Sequence, residues 1–197
     1  MTICVYGAAS KLIEQKYIDE GFLLGKTLAE KGHSLVFGAG SEGLMGAVAR
    51  GFKAGGGKVH GVIPTFFEEN GYEAIFYEAD KITYTADMAE RKTTMENECD
   101  AFIITPGGIG TFEEFFQALT LKQLGRHGKA IVVFNCFGYY DDMKNLIDTA
   151  IKHGFINKEC AKLVGYCSTV EEVVKYIETY SSADIDWNLL KRSNEKL

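Results

Sequence analysis

The chain of 197 residues is long enough for one domain core and too short for two ordinary domains. Hydrophobic residues make up 46% and charged residues 24%, which predicts a globular protein and argues against disordered, collagenous and membrane-spanning classes. The net charge of -6 argues against nucleic acid and anionic membranes as partners. Because the N-terminus also lacks the basic region of a signal peptide, we expect a cytoplasmic protein.

Short apolar segments rich in β-branched and aromatic residues alternate with segments of helical period. The pattern predicts strands over residues 2–7, 34–40, 58–64, 81–85, 100–106, 129–135 and 163–167. It predicts helices over residues 15–31, 43–53, 87–98, 111–124, 140–153 and 169–180. Apolar strands separated by helices predict an α/β fold with a doubly wound parallel sheet, a Rossmann-like three-layer sandwich. We expect a single domain over residues 1–180 and a polar tail over residues 181–197, either frayed or an arm against a partner.

The cysteines and histidines show no metal-binding pattern. The five cysteines are odd in number and never spaced as CxxC, which indicates buried free thiols in a reducing compartment. The four histidines are isolated from one another and from carboxylates at ligand spacing. We therefore predict no metal site.

Glycine is unusually frequent and is concentrated in two places. Of the 22 glycines, nine lie between Gly38 and Gly61, and three follow Pro106 directly. In an open parallel sheet, ligands bind outside the carboxyl ends of the strands. Both clusters follow predicted strands at that edge, so we expect a binding site there.

The first cluster, GAGSEGLMG (38–46), contains a GxGxxG pattern and an approximate GxSxG pattern around Ser41. A dinucleotide site is disfavoured because the pattern follows the second strand, and because no acidic residue ends the next strand to hold a ribose hydroxyl. A serine nucleophile is disfavoured because Ala39 replaces the first glycine. A tight turn with close helix packing, or close approach of the backbone to a sugar or phosphate, remains open.

The second cluster, TPGGIGTFEEFF (105–116), combines the end of a strand, three glycines and the start of a helix. Unpaired N–H groups and the helix dipole make such a turn an anion-binding nest. The Lys-Ser/Thr pair of a P-loop is missing, so the pattern favours a monophosphate over a magnesium-bound triphosphate.

Glu114 allows two interpretations of equal weight. With Thr111 it has the T-x-x-E spacing of a capping box, in which the carboxylate caps the helix. Alternatively, an ionised carboxylate at this position stabilises the positive charge of a ribose whose glycosidic bond is breaking, or polarises an attacking water.

Arg91 and Lys92 lie early in a predicted helix, where the dipole disfavours cations. Compensation by Glu90 and a Lys92–Glu96 pair would explain their placement structurally. The alternative is that Arg91 turns toward a phosphate or sugar at the carboxyl edge of the sheet.

The segment from Met88 to Asp141 resembles the signature region of the Lonely Guy (LOG) family of cytokinin riboside 5'-monophosphate phosphoribohydrolases, formerly labelled lysine decarboxylases. The family pattern PGGxGTxxE is matched from Pro106 to Glu114. The Arg-Lys pair that precedes this pattern in the family is matched at residues 91 and 92. The resemblance implies hydrolysis of a nucleoside 5'-monophosphate, AMP or an N6-modified AMP, to the free base and ribose 5-phosphate. It also implies a homodimer that uses no metal or organic cofactor.

The resemblance assigns Arg91 and Glu114 as the catalytic pair. The residues that it implies as substrate contacts are Ser10, Gly40, Lys92, Gly107, Gly108, Ile109, Gly110, Thr111 and Thr120. The segment 66–80 departs from the family pattern, and it leaves open whether Glu68, Glu69 or Glu73 contacts the substrate. The alternative hypothesis is a catalytically silent nucleotide-binding module on the same fold.

Overall fold

The computed structural model describes residues 1–71 and 74–191. Its sheet has seven parallel strands in the order β4-β3-β2-β1-β5-β6-β7. The strands are β1 (Thr2–Tyr6), β2 (Ser34–Phe37), β3 (Val59–Pro64), β4 (Lys81–Thr85), β5 (Ala101–Ile104), β6 (Ala130–Phe134) and β7 (Gly165–Cys167). The chain runs outward from β1 to β4 and then, starting again beside β1, from β5 to β7. This confirms the predicted doubly wound parallel fold.

Helices cover both faces of the sheet. They are α1 (Gln15–Glu30), α2 (Gly43–Ala54), α3 (Thr65–Asn70), α4 (Met88–Glu98), α5 (Ile109–Gln123), α6 (Asp141–Lys152), α7 (Val170–Thr179) and α8 (Trp187–Lys191). Helices α1, α2 and α7 pack on one face, and α4, α5 and α6 on the other. Along β1, Ile3 and Val5 contribute to the first core while Cys4 and Tyr6 contribute to the second. This alternation explains why the strands are apolar at nearly every position.

Glycines allow α1 and α2 to pack backbone against backbone. A Cβ on Gly25 would lie 2.1 Å from the carbonyl oxygen of Val48, and a Cβ on Gly51 would lie 2.2 Å from that of Phe22. Part of the large glycine cluster therefore serves helix packing, one of the two interpretations left open by the sequence.

Two helices differ from the prediction. Helix α3 was not predicted; it follows Pro64 directly and ends at Gly71, whose φ of 63° lies in the left-handed region. Helix α5 begins at Ile109 with Gly108 as its N-cap, two residues before the predicted start at Thr111. The glycine-rich turn is thus part of the first helical turn.

The segment after α7 packs on the domain as far as Lys191. A 3-10 turn (Ser182–Asp184) leads into α8, and Ile185 and Leu190 form a small core with Cys160 and Leu163. The rest of the predicted tail lies outside the described residues. Every helix in the described part of the chain is too short or too polar to span a lipid bilayer.

Candidate active site

An open cleft of about 320 Å³ lies at the carboxyl ends of β1 and β5. Four segments contribute to it: the loop after β1, the first turn of α2, helix α4, and the N-terminus of α5. Its lining residues are Gly7, Ala8, Ala9, Ser10, Met45, Arg91, Gly108, Gly110, Thr111 and Glu114. The cleft therefore brings together Arg91, Glu114 and part of the glycine turn, which are far apart in the sequence.

The N-terminus of α5, where the sequence predicts an anion-binding nest, lines the cleft. The first helical bond runs from Phe112 N–H to Gly108 C=O over 2.9 Å, so the preceding N–H groups have no acceptor within the helix. A Cβ on Gly108 or Gly110 would meet no protein atom within 4 Å. These two glycines keep space open in the cleft, where the helix dipole favours an anion.

Two tyrosines after β6 hold the turn that carries the nest. The Tyr139 hydroxyl donates to the Gly107 carbonyl, and the Tyr140 hydroxyl donates to the Thr105 carbonyl, each over 2.7 Å. Burial raises the pKa of both phenols, so both remain donors at neutral pH. No sequence spacing connects residues 139 and 140 with the turn, so this pair was not predicted.

The loop after β1 connects the two glycine clusters. The Ala8 N–H donates to the Pro106 carbonyl, while the Ala8 carbonyl accepts from the N–H groups of Leu44 and Met45. Gly43 has a φ of 58°, and a Cβ there would lie 2.6 Å from the Ala8 oxygen. Glycine is required at this position both for its backbone angle and for the close approach.

Arg91 is only 5% exposed, yet it lines the cleft. Its Nε donates to the Val62 carbonyl over 3.1 Å, and its Nη2 donates to the Gly38 carbonyl over 3.0 Å. Two backbone carbonyls, one within β3 and one directly after β2, thus hold the guanidinium, which explains a cation early in α4. Glu90 lies in the first turn of the same helix, where its carboxylate accepts from the Ala86 N–H.

Glu114 is half-buried and lines the same cleft. The predicted capping box is wrong in its geometry, since Thr111 is the third residue of α5 and no side chain caps the helix at Gly108. Burial is the main cause of the raised pKa values of Cys4 and Tyr6, and the Glu114 charge adds a smaller contribution to both. The side chain of Glu114 lines the cleft, and its catalytic role stays a prediction.

Several predicted contacts lie outside the lining of the cleft. Lys92 pairs with Glu113 at 2.5 Å, not with Glu96 as its structural explanation required. Gly40 forms an isolated antiparallel β-bridge with Ile75. Ile109 is 85% exposed, and Thr120 is exposed further along α5.

Segment 66–80 contains three glutamates that the sequence offers as candidates for contact with the substrate. Glu68 accepts a hydrogen bond from the Tyr77 hydroxyl over 2.6 Å, and Glu69 is exposed on α3. Glu73 lies outside the described residues. In the described chain, no group of three or more His, Cys, Asp or Glu side chains is placed to hold a metal ion.

Comparison with known proteins decides the family. Residues 45–177 match the family model described as "Possible lysine decarboxylase". The chain is 37% identical over 179 residues to the cytokinin riboside 5'-monophosphate phosphoribohydrolase LOG4 of Arabidopsis thaliana, covering 91% of this chain and 82% of the relative. The chain belongs to the LOG family. A second LOG-family relative, LOG of Oryza sativa subsp. japonica, is 38% identical over 90% of this chain and 73% of its own.

Solved structures agree with the LOG-family fold. The X-ray structure of TM1055, a structural genomics target, has a TM-score of 0.70 and 25% identity, and the match covers 91% of this chain and 99% of that one. The molybdenum cofactor carrier protein of Chlamydomonas reinhardtii has a TM-score of 0.66 and 21% identity, covering 90% and 95%. The second likeness concerns the fold alone.

Proposed function

We propose that the protein hydrolyses the N-glycosidic bond of a purine nucleoside 5'-monophosphate, AMP or an N6-modified AMP of the cytokinin type. The products are the free base and ribose 5-phosphate. The observation that carries this proposal is the cleft in which an anion nest, the Arg91 guanidinium and the Glu114 carboxylate meet. The names of the LOG-family relatives support the same reaction.

The proposed mechanism assigns one task to each part of the cleft. The 5'-phosphate binds the N–H groups between Gly108 and Thr111, where the α5 dipole favours its charge. Glu114 stabilises the positive charge that develops on the ribose and accepts a proton from the water that attacks C1′. Arg91 orients the sugar or assists departure of the base. Every group in this scheme is supplied by the chain itself.

Replacing Glu114 by Gln tests the proposal, because the amide keeps the shape of the side chain and removes its charge. We expect the rate of base release from AMP or isopentenyladenosine monophosphate, measured by chromatography, to fall by about 100-fold or more. AMP binding measured by calorimetry should change much less, because the nest remains.

Glu113→Gln is the matched control, since Glu113 lies on the same helix but pairs with Lys92 outside the cleft lining. We expect its rate to stay within about threefold of the wild type. If the wild-type protein binds AMP without releasing base, the proposal fails and the silent binding module is supported. The homodimer implied by the resemblance and the cytoplasmic compartment expected from the sequence stay predictions.

A further inference from the structure

Three hydrogen bonds in the plane of the group hold the guanidinium of Arg91. Nε and Nη2 donate to the carbonyls of Val62 and Gly38, and Nη1 donates to the Met88 sulfur over 3.6 Å. In-plane hydrogen bonds resist sliding of a planar group more strongly than rotation about the line that joins the acceptors. A further contact with the guanidinium adds resistance to that rotation.

Phe67 supplies that contact. The Arg91 Cζ lies 5.4 Å from the centroid of the Phe67 ring, within the range of a cation–π interaction. The Phe67 side chain is itself restrained, because it packs against the small core of Ala39, Ile63 and Ile75. Helix α3 thus places an aromatic ring, which itself packs on a small core, beside the buried Arg91 side chain.

We propose that Phe67 is a positioning residue for Arg91, which fixes the plane of the guanidinium through the contact of its ring with the cation. This inference rests on the proposed function, since it assigns the contact a role in catalysis. The proposed contact also assigns a role to α3, which lies in the segment that departs from the family pattern. A guanidinium that tilts loses its alignment with the sugar or base, and small misalignments of catalytic groups are costly in rate.

Volume-matched variants separate the aromatic face from simple packing. Phe67→Leu and Phe67→Met keep an apolar side chain over Arg91 and remove the ring, whereas Phe67→Tyr keeps the ring. We expect Leu and Met to lower kcat by about 3- to 10-fold with KM changed less than twofold, and Tyr to keep kcat within twofold. Ile82→Ala is the packing control because Ile82 adjoins the same small core; it should lower the melting temperature and leave kcat unchanged.

A second measurement does not depend on activity. Phenylglyoxal modification followed by mass spectrometry reports the reactivity of Arg91, with the exposed Arg126 as an internal standard. We expect Arg91 to react several-fold faster in the Leu and Met variants than in the wild type and the Tyr variant. Unchanged kcat in folded Leu and Met variants, or equal Arg91 reactivity in all four proteins, overturns the inference. If the wild type released no base from any nucleoside monophosphate, the proposed function would fail, and these reactivities would still decide whether Phe67 holds Arg91.

Discussion

Gly38 follows β2 directly and lies against the guanidinium of Arg91. A Cβ on Gly38 would lie 1.8 Å from Nη2 and 2.9 Å from Cζ, too close for any side chain. The Gly38 carbonyl also accepts the hydrogen bond from Nη2. A single position therefore supplies both the space and one acceptor for the arginine that lines the cleft. This is a functional use of the first glycine cluster that neither the dinucleotide nor the turn interpretation included.

Gly38→Ala should displace Arg91 and lower base release by about 10-fold or more, because the guanidinium cannot stay on both carbonyls. The measurement is kcat/KM with AMP, beside the melting temperature. Gly57→Ala is the control: its Cβ would lie 2.8 Å from that of Ala29, away from the cleft, so it should destabilise the fold without lowering kcat. Equal losses of kcat in both variants would contradict a specific role for Gly38.

At the scale of elements, loops rather than helices determine the shape of the nest. The turn before α5 is held from one side by the Ala8 N–H on the Pro106 carbonyl, and from the other by the hydroxyls of Tyr139 and Tyr140. These donors pair with carbonyl oxygens of the turn. The N–H groups of the first turn of α5 have no acceptor within the helix, and the helix dipole favours an anion beside them.

The two tyrosines should give different phenotypes when each is replaced by Phe. Tyr139 is 42% exposed, so Tyr139→Phe should mainly loosen the turn and raise the KM for AMP about 3- to 10-fold. Tyr140 is 1% exposed, so Tyr140→Phe leaves the buried Thr105 carbonyl without this donor and should lower the free energy of unfolding by about 1–3 kcal/mol. Steady-state kinetics and urea unfolding of both variants check this, and a KM unchanged in Tyr139→Phe would refute it.

For the whole molecule, the most unusual buried group is Lys122 on α5. Its side chain is fully buried, its Nζ donates to the Leu163 carbonyl over 2.7 Å, and it lies 4.5 Å from the centroid of the Tyr180 ring. Burial lowers its pKa to about 7. This lysine links α5 to the segments before β7 and after α7, far from the cleft.

The stability of the fold should depend on pH through Lys122. Its folded pKa of about 7 lies below the unfolded value of about 10.4, so above pH 7 the unfolded chain binds more protons and stability rises with pH. Urea unfolding from pH 6.5 to 8.5 should show an increase of about 1 kcal/mol per pH unit in the wild type relative to Lys122→Met. Parallel pH profiles of the two proteins would show that Lys122 is not responsible.

The sequence by itself determined the order of strands and helices, because apolar segments and helical periodicity are local patterns that the sheet and its covering layers reinforce. It also located the second glycine cluster, since PGGIGTFEE joins a strand end to a helix start within nine residues. Family membership followed from the same segment.

Only the tertiary structure decided how the candidate site is assembled. The contacts of Gly38, Phe67 and Tyr139 with Arg91 or the nest join residues more than twenty positions apart, and no spacing rule encodes them. The start of α5 at Ile109, and with it the failure of the capping box, also depended on the turn being held by neighbouring loops. Local sequence sets which element forms, but the position of a side chain in a cleft is set by packing between elements that are distant in the chain.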